Sequence, residues 1–129
     1  LSGGERQRVH LARVWAQISQ PRVGHARYLL LDEPTAALDL RHQQALLSQL
    51  RAHVRHSQLG VLAALHDLNC AAQYADKLVL LDQGRVVASG SAEQVLTSGM
   101  IEKIYKVPVE FLRYRPGDKL VIAIPGEAQ

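Results

Sequence analysis

The chain has one cysteine, one tryptophan, one phenylalanine and one methionine in 129 residues, and aromatic residues make up 5% of it. A single thiol, Cys70, excludes an internal disulfide framework and suits a reducing compartment. No apolar run approaches the roughly 18 residues that a membrane-spanning helix needs, and no secretory leader is expected. The excess of positive charge is small, +3 with a pI near 9.3. Basic residues are dispersed, with no run of five and no interleaved aromatic stripe, so a solvated face explains them better than a nucleic-acid groove. Also missing is a Gly-x-x-x-x-Gly-Lys-Ser/Thr loop, the cradle of backbone amides and lysine that holds β- and γ-phosphates. What is present, 47% hydrophobic and 21% charged residues, is ordinary for a globular domain with one core.

Against these absences stands the opening stretch Leu1-Ser2-Gly3-Gly4-Glu5-Arg6-Gln7-Arg8. A hydroxyl residue and two glycines before a long helical pattern let bare backbone N–H groups approach an anion, where the helix dipole favours negative charge. Alone, the tetrapeptide reads more readily as a plain helix start, with Ser2 as N-cap and Glu5 three residues on completing a capping box.

Residues 28–33 form a short apolar run ending in two adjacent acids, the pattern of a parallel strand buried on both faces. At the C-terminal end of such a strand, Asp32 and Glu33 sit where open α/β sheets bind ligands. They can divide the work: Asp32 holding a magnesium ion through its waters, Glu33 polarising an attacking water as general base. A strand-to-turn cap is the alternative for Asp-Glu-Pro taken alone. Pro34 ends the strand, and Asp39 is placed to cap the next helix. A second buried-strand run at 61–65 delivers His66, which on its own would read as a structural histidine.

The remaining elements alternate. Residues 5–19 should form a helix that is apolar nearly all round (Val9, Leu11, Ala12, Val14, Trp15, Ile18), hence largely buried, with Trp15 in the core. Residues 20–25 read as a loop, and 40–56 as an amphipathic helix lying on the sheet, with Leu46, Leu50 and Val54 at four-residue steps. A short helix at 67–75 carries Cys70 as a packing residue. The strand at 77–82 turns through Gln83-Gly84 into a second at 85–89. Ser91 caps a helix to Leu96, another spans 100–106, and residues 109–114 and 120–124 look like a terminal β-hairpin around Pro116-Gly117-Asp118, followed by a disordered tail. His10, His42 and the His53/His56 pair read as surface residues; no carboxylate or cysteine stands at ligand spacing beside the pair.

Leu-Ser-Gly-Gly-Glu, then an apolar run with Asp-Glu-Pro-Thr, then Ala-Leu-Asp, then a strand with His-Asp-Leu-Asn resemble, in that order, the second half of an ABC transporter ATPase subunit. The resemblance implies an α/β fold, the later part of a P-loop NTPase domain with a mostly parallel sheet flanked by helices and a small C-terminal β-hairpin, residues 1–129 forming one portion of one domain. It implies ATP and Mg2+ as cofactors. Ser2, Gly3, Gly4 and Glu5 match the signature motif that reads the γ-phosphate of ATP held by the opposite subunit. Asp32 matches the magnesium aspartate, Glu33 the catalytic glutamate, Asp39 the D-loop aspartate at the dimer seam, and His66 the switch histidine. Glu5 stands where glutamine is commonest and Ala36 where serine is frequent; neither change removes a group the chemistry requires.

The resemblance covers only the later part of the family domain, so the chain reads as a C-terminal portion that is inactive alone for want of the phosphate loop. A sheet lacking its first strands should expose an edge and apolar faces. The segments at 66–69, 82–90 and 93–97 are similar to bacterial importers of iron chelates, haem and cobalamin, and the 20–27 loop and closing 109–125 segment to hemin import ATP-binding subunits. The partners implied are a second ATPase subunit in a homodimer, integral-membrane permease subunits and, indirectly, a periplasmic binding protein, at the cytoplasmic face of the bacterial inner membrane. No nucleic acid is expected. Two rivals remain, a non-transport ABC ATPase acting on nucleic acid and an inactive interaction fragment.

Overall fold

The computed structural model describes residues 2–20, 23–113 and 119–126. The chain divides into two compact units, one up to His66 and one from Asp67.

In the first unit, α1 (Gly3–Ile18) leads to β1 (Arg27–Asp32), α2 (Leu40–His56) and β2 (Leu59–Ala64). The two strands pair in parallel from Arg27 opposite Leu59 to Asp32 opposite Ala64. A parallel pair needs a crossover, and α2 supplies it, packing on β2 with Leu46, Leu47 and Leu50 buried. Leu46 and Leu50 are expected at the four-residue step; Leu47 joins them because three- and four-residue spacings share one helix face. Asp39 caps α2 as expected, accepting from the His42 N–H at 2.9 Å.

Two expectations for this unit are corrected. The first strand is not buried on both faces: Leu29 is buried, but Tyr28 and Leu30 are 78% and 76% exposed, as is Leu62 opposite Leu30 at 65%. A run that is apolar on both faces needs a layer on each side, and among the described residues only one side is covered. The first helix is likewise not largely buried, with Val9 51% exposed. Trp15 is half-buried and lies against the His53 ring, centroids 4.4 Å apart. His53 is therefore a packing partner, and the apolar circumference of α1 exceeds the cover available to it.

The second unit runs α3 (Leu68–Tyr74), β3 (Leu78–Asp82), β4 (Arg85–Gly90), α4 (Ala92–Val95), α5 (Ser98–Tyr105), β5 (Glu110–Leu112) and β6 (Val121–Ala123). Its sheets are two antiparallel pairs, β3–β4 and β5–β6, so the parallel arrangement expected for the sheet is confined to β1–β2. Gln83 and Gly84 turn the first hairpin with φ of 47° and 75°, the double positive φ of a type I′ turn that matches strand twist. Ala72, Leu80, Val95, Leu96, Ile101 and Ile122 form a core cluster, with Val95 and Ile101 at 1% exposure. Both short helices after the hairpin start at hydroxyl caps, Ser91 with Gln94 in a capping box and Thr97 bonding the Met100 N–H.

Besides the packing of Ala72 and Ile122 in the core cluster, Asn69 of α3 hydrogen-bonds the terminal hairpin. Asn69 donates from Nδ2 to the Ile122 carbonyl at 3.0 Å and accepts the Ile122 N–H on Oδ1 at 2.7 Å, the bonds a neighbouring strand would make. Cys70 is half-buried, and burial raises its thiol pKa, with Asp67 adding to the shift. That suits the packing role expected for it. The turn expected at 116–118 and the tail at 127–129 lie outside the described residues. No helix among the described residues is long and apolar enough to cross a membrane.

Candidate functional site

The parallel pair sets the site. Because β1 and β2 end in register at Asp32 and Ala64, the next residues of each strand leave the sheet side by side. Glu33 still bonds through its N–H to the Ala64 carbonyl at 3.1 Å, then turns out of the sheet with φ of 46°. A left-handed conformation in a residue with a side chain is strained, and such strain persists only where the surroundings impose it. Pro34 follows, fully buried, and Thr35 is 9% exposed. The turn points the Glu33 side chain at the end of β2, where Oε1 meets Nε2 of His66 at 2.6 Å.

This pair is accessible: the Glu33 side chain is 46% exposed and that of His66 84%. A carboxylate bonded to an imidazole, open to solvent on one side, can take a proton from water while the ring holds it in place. Asp32, one residue earlier on the exposed strand end, presents a second carboxylate. Among the described residues no group of three His, Cys, Asp or Glu side chains could hold a metal ion.

The helix start at Ser2 forms the expected capping box. Ser2 Oγ accepts the Glu5 N–H at 3.2 Å, and Glu5 Oε2 accepts the Ser2 N–H at 2.6 Å. The Ser2 N–H, then its hydroxyl, hold the Glu5 carboxyl below its ordinary pKa. Gly3 and Gly4 begin the helix with no side chain; a Cβ on Gly4 would lie 2.9 Å from the Ala37 carbonyl oxygen. Only glycine allows that approach.

Asp39 has two contacts with one residue. Its Oδ1 accepts the His42 N–H and also meets His42 Nδ1 at 2.7 Å. The backbone bond first, then the ring, lowers the Asp39 pKa. His42 thus pairs with the Asp39 cap while its side chain stays 43% exposed, in keeping with its reading as a surface histidine.

Asp32, Glu33 and His66 are brought together at one strand end. Ser2, Gly3, Gly4 and Glu5 lie at the start of α1, which meets the 34–39 loop through Gly4 and through Gln7, whose Nε2 donates to the Pro34 carbonyl at 3.2 Å. Sequence reasoning missed Gln7, His42 and Gln43. The available signal was spacing: Gln43 follows Asp39 by four residues, which returns a helix side chain to the face of its own cap.

The strand–crossover–strand unit, the acids at the end of its first strand and the histidine at the end of its second give the chain the fold of the later part of a P-loop NTPase domain of the ABC ATPase type. A solved inward-facing ABC transporter of metal-chelate type matches it with a TM-score of 0.75 and 28% identity, covering 98% of this chain and 49% of that one. In sequence the chain is similar to the hemin import ATP-binding protein HmuV of Myxococcus xanthus, 49% identical over 127 residues, 97% of this chain and 46% of that protein. The HmuV of Hydrogenovibrio crunogenus is 48% identical over 124 residues, 95% of this chain and 48% of that protein. The chain spans about half the length of the curated relatives it matches. Structures of SMC ATPases, described with ATP-driven dimerization and DNA-stimulated activation, match with a TM-score of 0.55 and 27% identity over 81% of this chain and 62% of theirs. No protein-family model matches.

Proposed function

We propose that this chain provides the hydrolytic carboxylate and the phosphate-reading helix of an ATPase subunit that energises import of hemin or another iron chelate. The observation that carries the reading is the Glu33–His66 contact at the end of the parallel pair, beside Asp32. Glu33 takes the proton of the attacking water; its imposed φ and its bond to His66 fix where that proton goes. His66 keeps the Glu33 carboxylate in place through Nε2. Magnesium, when bound through Asp32 and water, neutralises charge on the phosphate oxygens. Gly3 and Gly4 present backbone N–H groups, and Ser2 its hydroxyl, to the γ-phosphate of a nucleotide bound by a second copy, so hydrolysis depends on closure of a dimer. Asp39 lies at the seam of that dimer.

The partners in this reading are a second ATPase subunit, integral-membrane permease subunits and, through them, a periplasmic binding protein, at the cytoplasmic face of the bacterial inner membrane. Support for the cargo comes from the hemin import proteins it is similar to and from the metal-chelate transporter structure. A second reading, an ABC ATPase acting on nucleic acid, draws on the likeness to SMC ATPases and predicts turnover that DNA stimulates.

The test uses a complete subunit in which this segment replaces the matching part of the Myxococcus xanthus protein. Glu33→Gln should lower phosphate release about a hundredfold or more, with ATP binding retained. Turnover near the native rate in that variant would remove Glu33 as the base.

A further inference from the structure

The loop between Glu33 and Asp39 is closed by two glutamines from two different helices. Gln43, half-buried in the first turn of α2, donates from Nε2 to the Thr35 carbonyl at 3.1 Å and the Leu38 carbonyl at 3.0 Å. Gln7, half-buried on α1, donates to the Pro34 carbonyl at 3.2 Å. Within the loop, the Ala36 N–H bonds the Glu33 carbonyl and the Leu38 N–H the Thr35 carbonyl, each at 3.1 Å. The loop dips inward at Pro34 and Thr35, where carbonyls withdrawn from water need donors. A primary amide is suited to this, because one nitrogen carries two donors and reaches two carbonyls.

We infer that Gln43 and Gln7 are positioning residues for hydrolysis: they fix the path of residues 34–39, and through it the exit angle of Glu33 at one end and the place of Asp39 at the other. The inference rests on the function proposed for Glu33. Neither glutamine touches the Glu33–His66 pair; each acts through the loop backbone. Gln7 has a second consequence, since it lies on the helix whose first residues are assigned to a partner's phosphate. A displacement of that helix start reaches the loop that carries Glu33 through the Gln7–Pro34 bond and through Gly4 against the Ala37 carbonyl. The phosphate-reading end and the hydrolytic end of one chain are thereby mechanically joined.

The test compares the same complete subunit with Gln43→Leu, Gln43→Lys and Gln7→Leu, with the exposed neighbour Gln44→Leu as control. Gln43→Leu keeps the size and removes the donors; kcat should fall about tenfold or more, as misplacement of a reacting group by an ångström does, while KM for ATP stays within about twofold. Hydrogen exchange of the peptide covering residues 34–39 should rise. Gln43→Lys keeps donors towards both carbonyls and should recover kcat to within roughly threefold of native. Gln7→Leu should lower kcat in the same sense, and Gln44→Leu should change nothing. Native kcat in Gln43→Leu, or a loss in Gln43→Lys as deep as in Gln43→Leu, overturns the inference. If the native subunit turns over and Glu33→Gln does not, such a result removes the glutamine clamp alone; if Glu33→Gln turns over normally, the proposed function fails and the clamp's role with it.

Discussion

The residues up to His66 and those from Asp67 hold their shape by different means. From Asp67 onward a cluster of side chains is nearly sealed, with Ala72, Val95, Leu96 and Ile101 at 2% exposure or less. Up to His66 the buried leucines keep 4–7% exposure, and the segment that carries the candidate chemistry is fixed by polar devices: two capping side chains, two glutamine amides and the Glu33–His66 contact. The difference fits the function proposed for the first region. A packing unit needs only apolar area withdrawn from water, which is non-directional. A site open to nucleotide cannot be sealed, so directional bonds must set the angles of its side chains.

Substitutions should therefore separate activity from stability along the chain. The largest effect outside Glu33 itself is expected at His66: in the complete subunit, His66→Ala should lower ATP turnover about a hundredfold, within the range of a general acid–base partner, with an unchanged urea midpoint. Ile101→Ala should do the reverse. Removing a fully buried isoleucine side chain leaves a cavity and costs about 2–5 kcal/mol of unfolding free energy, read as a shifted urea midpoint, with kcat per folded molecule preserved. A turnover loss at Ile101 beyond its unfolded fraction would erase the distinction between the two regions. The smallest effect is a pH dependence at the start of α1. Because Ser2 holds Glu5 below its ordinary pKa in the folded chain, the carboxylate's contribution is complete above the unfolded value of about 4.3 and is lost as pH falls through the lower folded value. Backbone amide shifts of Ser2 and Glu5 should report helix fraying over that acid window, and Glu5→Gln should flatten the response.

Much of this was legible in the residues. Helix starts at Ser2, Asp39 and Ser91 carry hydroxyl or carboxylate caps, a local signal that the fold did not override, whereas the Thr97 cap starts the last helix at Ser98, before the expected residue 100. Asp32, Glu33 and His66 could be placed together because parallel pairing sends both strand ends to the same edge. Burial was less legible. Tyr28, Leu30, Leu62 and Val9 read as interior from their pattern and are exposed, since periodicity shows which faces are apolar and not what covers them. The glutamine clamp was missed for another reason: Gln7 and Gln43 are good helix formers on partly exposed turns, and their bonds depend on where a loop folds back, which no local pattern encodes. Asn69 is the same case, its partner Ile122 lying far along the chain.

The central claim, that the Ser2–Gly4 helix start and Glu33 serve two different nucleotides, is tested most directly by mixing two inactive subunits. One carries Glu33→Gln and the other Gly4→Asp, each built into the complete ATPase and each silent as a homodimer. If the signature end reads its partner's nucleotide, a mixed dimer has one site with both defects and one with neither, so phosphate release should return on mixing. A mixture as silent as its components, with mixed dimers demonstrated by crosslinking, would place both residues at the same nucleotide and contradict the claim.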